Sequence, residues 1–211
     1  MNKDYIVVLK DFLQCVNNSR YFIVGSVALL SYTKPYSYDR QIQDIDIIMD
    51  KNKALEVSKK LINLGYKQNT FINPRMPFFK IFLKHSQDKF LRFSKNNLNI
   101  EILVTTFSEY KNLFIFELYP GIKAGIPKNE LNISSYNGVK FDTVSVEILY
   151  LIKKIANNTV AEKVKYRQEQ RYNDLKPLKK LVNFERFNLL ISQVRIFIIN
   201  IPFKIPKFLV K

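Results

Sequence analysis

The sequence predicts an α+β fold: a mixed β-sheet with flanking helices, followed by a C-terminal helical part. Three observations predict it. Short apolar runs of strand length alternate with segments of helical period over the first hundred residues. Asn137-Gly138, between Ile133 and Val139–Phe141, is the strongest short hairpin signal a sequence offers. Beyond about residue 144 the period changes to helical, in segments joined by basic linkers. The simplest division is therefore a sheet-bearing part, 1–143, and a basic helical part, 144–211.

Taken in order, Tyr5, Val8, Leu9, Phe12, Leu13 and Val16 fall at helical spacing and predict an amphipathic helix over 4–17, ended by Asn17, Asn18 and Ser19. Tyr21–Val24 is short and apolar enough for a buried strand. Gly25-Ser26 follows directly, and Val27–Tyr32 begins a second helix. A Pro- and Tyr-containing loop over Thr33–Arg40 leads to a second strand, Asp44–Met49. Lys53–Leu64 reads as a helix, with Gly65 at the position of a C′ stop. Phe78–Leu83 and Phe90–Phe93 flank the polar turn His85–Lys89 and predict a hairpin. Leu98–Val104 is a further strand. Val146–Ala156, Leu175–Phe187 and Leu189–Ile199 read as helices.

Composition excludes several classes. The 211 residues carry 34 Lys and Arg against 18 Asp and Glu, and 47% are hydrophobic. That is too apolar for a disordered chain and long enough for a real core. Cys15 is the single cysteine, so no disulfide framework exists. No stretch reaches about 18 uncharged apolar residues, so no membrane-spanning helix is expected. The N-terminus lacks the apolar centre and cleavage site of a signal peptide, and a reducing cytoplasm is the default expectation. The net charge of +16 is discounted in part, because Lys, Asn and Ile share A/T-rich codons. Its distribution is more informative: residues 151–211 carry a net +10 and residues 1–150 a net +6. A polyanionic or phosphate-bearing partner fits that concentration, and a well-solvated helical surface fits it about equally.

Three features bear chemistry: a strand running through Gly25-Ser26 into a helix, then Asp44-Ile45-Asp46 preceded by Arg40, then Asn99-Ile100-Glu101-Ile102 on a later strand. Side chains alternate along a strand, so Asp44 and Asp46 share one face while Ile45 and Ile47 enter the core. Two carboxylates so close repel unless a cation compensates them. Mg²⁺, a hard cation, prefers carboxylate and phosphate oxygens. A third acid from an adjacent strand, Glu101, completes a two-metal arrangement, in which one ion activates a hydroxyl and the other stabilises a leaving pyrophosphate. Gly25 allows the backbone to approach a phosphate without a Cβ, Ser26 adds a hydroxyl, and the helix start presents free N–H groups.

Gly25-Ser26-Val27-Ala28-Leu29, Arg40-Gln41-Ile42-Gln43-Asp44-Ile45-Asp46-Ile47 and Glu101 together resemble the nucleotidyltransferases of the DNA polymerase beta-like superfamily. The likeness is to small bacterial members related to antibiotic nucleotidyltransferases and abortive-infection toxins. It covers roughly residues 20–104 and extends more weakly to Glu147–Lys153 and Arg171–Leu175. The family usually carries Asp where Glu101 stands, so this acid reaches one methylene further. The resemblance implies a nucleotidyltransferase-like sheet in which Asp44, Asp46 and Glu101 hold Mg²⁺ and Glu101 deprotonates or orients the acceptor hydroxyl. It implies that Gly25 and Ser26 bind a triphosphate, which Arg40 and Lys153 help to neutralise.

Plainer readings stand beside these. Arg40 can pair with Asp39 or Asp44, and Lys153 beside Lys154 reads as part of a solvated basic face. Arg171 and Asp174 are spaced for an intrahelical ion pair. Cys15, near the apolar face of the first helix, reads as a buried thiol, and His85 as an exposed turn residue. The segment Asn188–Lys211, broken by Pro202 and Pro206, can lie on anionic lipid, but a last helix and tail packed on the body is favoured. The expected activity is Mg²⁺-dependent transfer of a nucleoside monophosphate from a nucleoside triphosphate to an acceptor hydroxyl, with release of pyrophosphate. An RNA end such as that of tRNA suits the basic C-terminal part, a small hydroxylated molecule is nearly as good, and a protein hydroxyl is a third option. The alternatives are a non-catalytic nucleotide- or nucleic-acid-binding module of the same fold, and a peripheral membrane protein acting on a lipid-linked substrate.

Overall fold

A computed structural model describes residues 3–17, 19–33, 42, 44–69, 90–119, 122–159, 165–193 and 195–198. The helices are α1 (Lys3–Cys15), α2 (Gly25–Thr33), α3 (Lys51–Asn63), α4 (Val146–Thr159), α5 (Lys165–Leu181) and α6 (Phe184–Gln193). The main sheet has the order β3 (Lys67–Asn69), β4 (Phe90–Lys95), β5 (Leu98–Thr105), β2 (Asp44–Asp50), β1 (Tyr21–Ile23), β10 (Val139–Val144) and β9 (Leu131–Tyr136). It is mixed: β2 runs parallel to β5 and β1 parallel to β10, and the other neighbours are antiparallel. A second, antiparallel sheet has the order β11 (Arg195–Ile198), β8 (Ile122–Pro127), β7 (Leu113–Tyr119) and β6 (Ser108–Tyr110).

Strand alternation sorts the core into two layers. Ile45, Ile47 and Met49 of β2, with Ile100, Ile102 and Val104 of β5, face α1 and α3 and pack with Phe12, Leu9, Val57 and Leu61. Phe22, Ile48 and Leu103 face the other way. There they meet Phe114, Phe116, Ala124 and Ile126 of the second sheet, and the helices α4 to α6 through Ile148, Leu151, Ile155, Leu178, Phe187 and Leu190. Phe22, Phe107, Phe114 and Phe116 form the centre of that layer, with ring centroids 5.1 to 5.7 Å apart. Helix α2 is buried nearly all round: Val27 and Leu30 join one layer, Ala28 and Leu29 the other. A helix apolar on every side belongs inside, and this one fixes where its first turn meets β2.

Local stops follow sequence chemistry. Asp50 ends β2 and caps α3, its side chain accepting from the Asn52 N–H at 2.8 Å. Gly65 takes φ +86°, and the Gly65 and Tyr66 N–H groups donate to the carbonyls of Ile62 and Leu61. That is the paired helix-ending pattern a C′ glycine permits. Asn137 and Gly138 both adopt positive φ and close the β9–β10 hairpin, as the Asn-Gly signal predicts.

Several expectations are corrected. Leu175–Phe187 is not one helix: α5 ends at Leu181 and α6 begins at Phe184, with Asn183 accepting from the Arg186 N–H at 3.1 Å as a new N-cap. Leu189–Ile199 is not one helix either. Helix α6 ends at Gln193, and Arg195–Ile198 is a strand whose Ile196 and Phe197 lie opposite Ala124 and Lys123 of β8. A short apolar run has no period of its own, and tertiary pairing decided it. Phe90–Phe93 is a strand, but its described partners are β3 and β5, through a turn at Asn96 and Asn97, both at positive φ. Phe78–Leu83 and His85–Lys89 lie outside the described residues. The second sheet was not foreseen. Cys15 is a buried free thiol. Among the described residues no helix is long and apolar enough to cross a membrane.

Candidate active site

The site forms where β1 gives way to α2 against the start of β2. The Val24 N–H donates to the Asp46 carbonyl at 2.9 Å, so the chain leaving β1 is tied to β2 as it turns. Gly25 makes that turn at φ +66°, a left-handed conformation that side chains resist. A Cβ at Gly25 would lie 1.8 Å from Asp46 Oδ2 and 2.6 Å from its Cγ. The missing side chain is thus the space that the Asp46 carboxylate occupies. Ser26, next in the first turn of α2, is 1% exposed.

Parallel pairing of β2 with β5 supplies the third acid. Asp46 lies opposite Glu101 and Asp44 opposite Asn99. Strand periodicity puts Asp44, Asp46 and Glu101 on one face, and an oxygen from each carboxylate lies within 4.8 Å of the others. All three are half-buried. Such a group repels itself in a medium less polarisable than water. Arg92 of β4 supplies a compensating charge: it lies opposite Glu101 across the next ladder, its Nε 3.3 Å from Glu101 Oε1. On the α1 side, Tyr5 is buried, and burial together with the Asp44 carboxylate pushes its phenol up to about 12. It stays a neutral hydroxyl.

The donor set fits a hard divalent ion. Magnesium takes oxygen ligands at about 2.1 Å and shares them with phosphate, and three carboxylates whose oxygens gather within 4.8 Å need only small side-chain adjustments to supply it. Nitrogen and sulfur ligands, which softer metals prefer, are absent from this group.

Of the residues singled out from sequence, the structure brings together Gly25, Ser26, Asp44, Asp46 and Glu101. Arg40 lies outside the described residues. Lys153 departs from the solvated face expected of it: its side chain is 13% exposed, and its Nζ sits 3.1 Å from Asp174 Oδ2, which is 1% exposed. The pair joins α4 to α5. Asp174 is therefore engaged with a neighbouring helix, and of the Arg171 side chain nothing is described. Arg92 escaped the sequence reading. Its signal was present, because a two-residue turn at Asn96-Asn97 pairs Lys95 with Leu98 and so brings Arg92 opposite Glu101.

No protein-family model matches the chain, and no curated protein matches it in sequence. Solved structures do match. The lincosamide antibiotic adenylyltransferase LnuA, in its lincomycin-bound crystal structure, superposes with a TM-score of 0.54 at 19% identity, over 86% of this chain and 98% of that one. ANT(2")-Ia in complex with adenylyl-2"-tobramycin gives a TM-score of 0.59 at 10% identity, over 90% and 95% of the two chains. The solution structure of the same resistance factor gives 0.60 at 10% identity, over 92% of each. The chain shares the fold of these adenylyltransferase structures.

Proposed function

We propose that this chain, built on a nucleotidyltransferase fold, transfers a nucleoside monophosphate from a nucleoside triphosphate to an acceptor hydroxyl. One observation carries the reading: three carboxylates gathered within 4.8 Å, beside a helix start whose glycine is emptied of side chain by one of them. Structural proteins have little use for so repulsive a group at a half-buried position.

The roles follow from geometry and charge. Asp44, Asp46 and Glu101 would hold Mg²⁺, which when bound draws charge from the triphosphate and eases loss of the acceptor proton. The backbone N–H groups at the start of α2 bind the departing end of the triphosphate. Ser26, buried at 1% exposure, contributes through its amide in preference to its hydroxyl. Glu101, farthest from Gly25 in the strand order, takes the acceptor proton. The acceptor oxygen forms its bond to the α-phosphorus as the bond from that phosphorus to the bridging oxygen breaks, and pyrophosphate leaves. Lys153, paired with Asp174, would reach a triphosphate only by leaving that partner. The basic helical part, 144–211, is the second unit of the proposal.

A small hydroxylated acceptor is favoured over RNA, because the superposing structures hold lincomycin and an adenylylated tobramycin. The test is incubation with each labelled nucleoside triphosphate, Mg²⁺ and a whole-cell extract. Pyrophosphate release with label moving into an extract component supports the reading, provided that Asp44→Asn and Asp46→Asn abolish it while melting normally. Wild-type turnover in both variants would remove the site assignment, whereas no pyrophosphate release from the unaltered chain would put the non-catalytic nucleotide-binding module in its place.

A further inference from the structure

The polar surface beyond Glu101 has a sign. Across the main sheet, ladder register sets two rows of side chains on the face that bears the three acids. One row reads Asp46, Glu101, Arg92, Asn69; the other reads Asp44, Asn99, Ser94, Lys67. Asn69 and Lys67 are exposed, Ser94 and Asn99 half-buried, and the Arg92 side chain is 36% exposed. Asn69 Nδ2 donates to Ser94 Oγ at 2.8 Å, so the two rows are stitched together at the outer strands. Past Glu101, the described residues of β3 to β5 on this face include no further carboxylate and two cations.

Resting on the nucleotidyl-transfer reading, an in-line displacement fixes which side the acceptor takes. The pyrophosphate departs toward Gly25 and α2, on the β1 side of the acids, so the attacking hydroxyl enters from the opposite side, over β5 and β4. We infer that the acceptor is a hydroxylated molecule carrying a phosphate group close to the reacting hydroxyl. Arg92, one strand spacing of about 4.8 Å from Glu101, would bind that phosphate, with Lys67 farther out on the same face. A guanidinium suits a phosphate through paired N–H donors. A polycationic aminoglycoside would meet Arg92 and Lys67 as like charges. Two sources share the required chemistry: a sugar phosphate and the terminal nucleotide of an RNA.

Binding separates this inference from the activity it rests on. Ribose 5-phosphate, a short RNA oligonucleotide with a free 3′ end, and tobramycin are titrated calorimetrically into the full chain without nucleoside triphosphate or metal. At least one phosphate-bearing probe is expected to bind, Arg92→Glu to weaken it about tenfold or more, and Arg92→Lys, which keeps the charge but not the paired donors, to weaken it less than Arg92→Glu does. Lys67→Gln, at an exposed position with little bearing on folding, is expected to weaken it a few-fold. Binding of RNA alone identifies a polymeric acceptor, and binding of the sugar phosphate a small one. Non-specific attraction to the net charge of +16 is spread over many cations and would barely register Arg92. Three outcomes overturn the inference: no phosphate-bearing probe binds, affinity survives Arg92→Glu unchanged, or tobramycin binds as tightly as the phosphates. Absence of pyrophosphate release, with Arg92-dependent binding intact, would count against the transfer reading alone.

Discussion

Gly25 and Asp46 occupy each other's space: the position a Gly25 Cβ would take is 1.8 Å from Asp46 Oδ2. A residue at φ +66° and a carboxylate in the acidic group are therefore one structural unit. Gly25→Ala carries two penalties, about 1–2 kcal/mol for a left-handed non-glycine residue and the displacement of Asp46. The expected result is a modest loss in melting temperature with a loss of Mn²⁺ affinity of at least about tenfold. A variant that melts lower yet binds metal normally would show that the contact is only steric.

The pair Lys153–Asp174 makes a stability prediction. Asp174→Ala leaves an ammonium at 13% exposure without the carboxylate 3.1 Å away, which costs about 3 kcal/mol. For a chain of this size that is a fall in melting temperature of roughly 6–12 °C. The double change Lys153→Met with Asp174→Leu, which removes both charges, is expected to recover most of it by calorimetry.

Arg186 makes a second. It lies 2.9 Å from Glu130 Oε1 and 3.8 Å from Glu147 Oε2, with those carboxylates 4% and 3% exposed. Its own pKa is raised, first by the hydrogen bond to Glu130. Arg186→Leu strands two buried acids, Glu130 in the turn before β9 and Glu147 on α4. Because Arg186 is itself half exposed, the expected cost is about 2–3 kcal/mol. Adding Glu130→Gln and Glu147→Gln is expected to restore part of it, as read from urea midpoints.

Alkaline pH supplies a third. Tyr5 and Tyr21 are pushed up to about 12, chiefly by burial, from an ordinary value of 10. Burial likewise raises Tyr66. The folded state holds these protons more tightly than the unfolded one, so the stability they contribute is complete below about pH 10 and is lost as pH rises toward 12. Tyrosinate absorbance from these rings is expected to appear together with unfolding. Ionisation of all twelve tyrosines near pH 10 with the fold intact would contradict it.

The sequence disclosed the site more readily than the frame around it. Gly25, Asp44, Asp46 and Glu101 were legible because each is tied to a local signal: a strand-to-helix glycine, a period-2 pair of acids, an acid within an apolar strand. The second sheet was not foreseen although β7 and β8 have ordinary strand lengths: Leu113–Phe116 is apolar without interruption, and such a run has no period of its own. Its last member, Arg195–Ile198, is a strand only because β8 lies beside it. Arg92 fell between the two. Its role depends on register, and register depended on recognising Asn96-Asn97 as a turn at positive φ.

The central claim, that Asp44, Asp46 and Glu101 act together as a divalent-metal site, is tested most directly by Mn²⁺ titration followed by electron paramagnetic resonance. It uses the full chain with a non-hydrolysable nucleoside triphosphate analogue. Bound Mn²⁺ in the wild type, weakened about tenfold or more in each of Asp44→Asn, Asp46→Asn and Glu101→Gln at unchanged melting temperature, is the predicted result. Equal Mn²⁺ affinity in wild type and all three variants would contradict it.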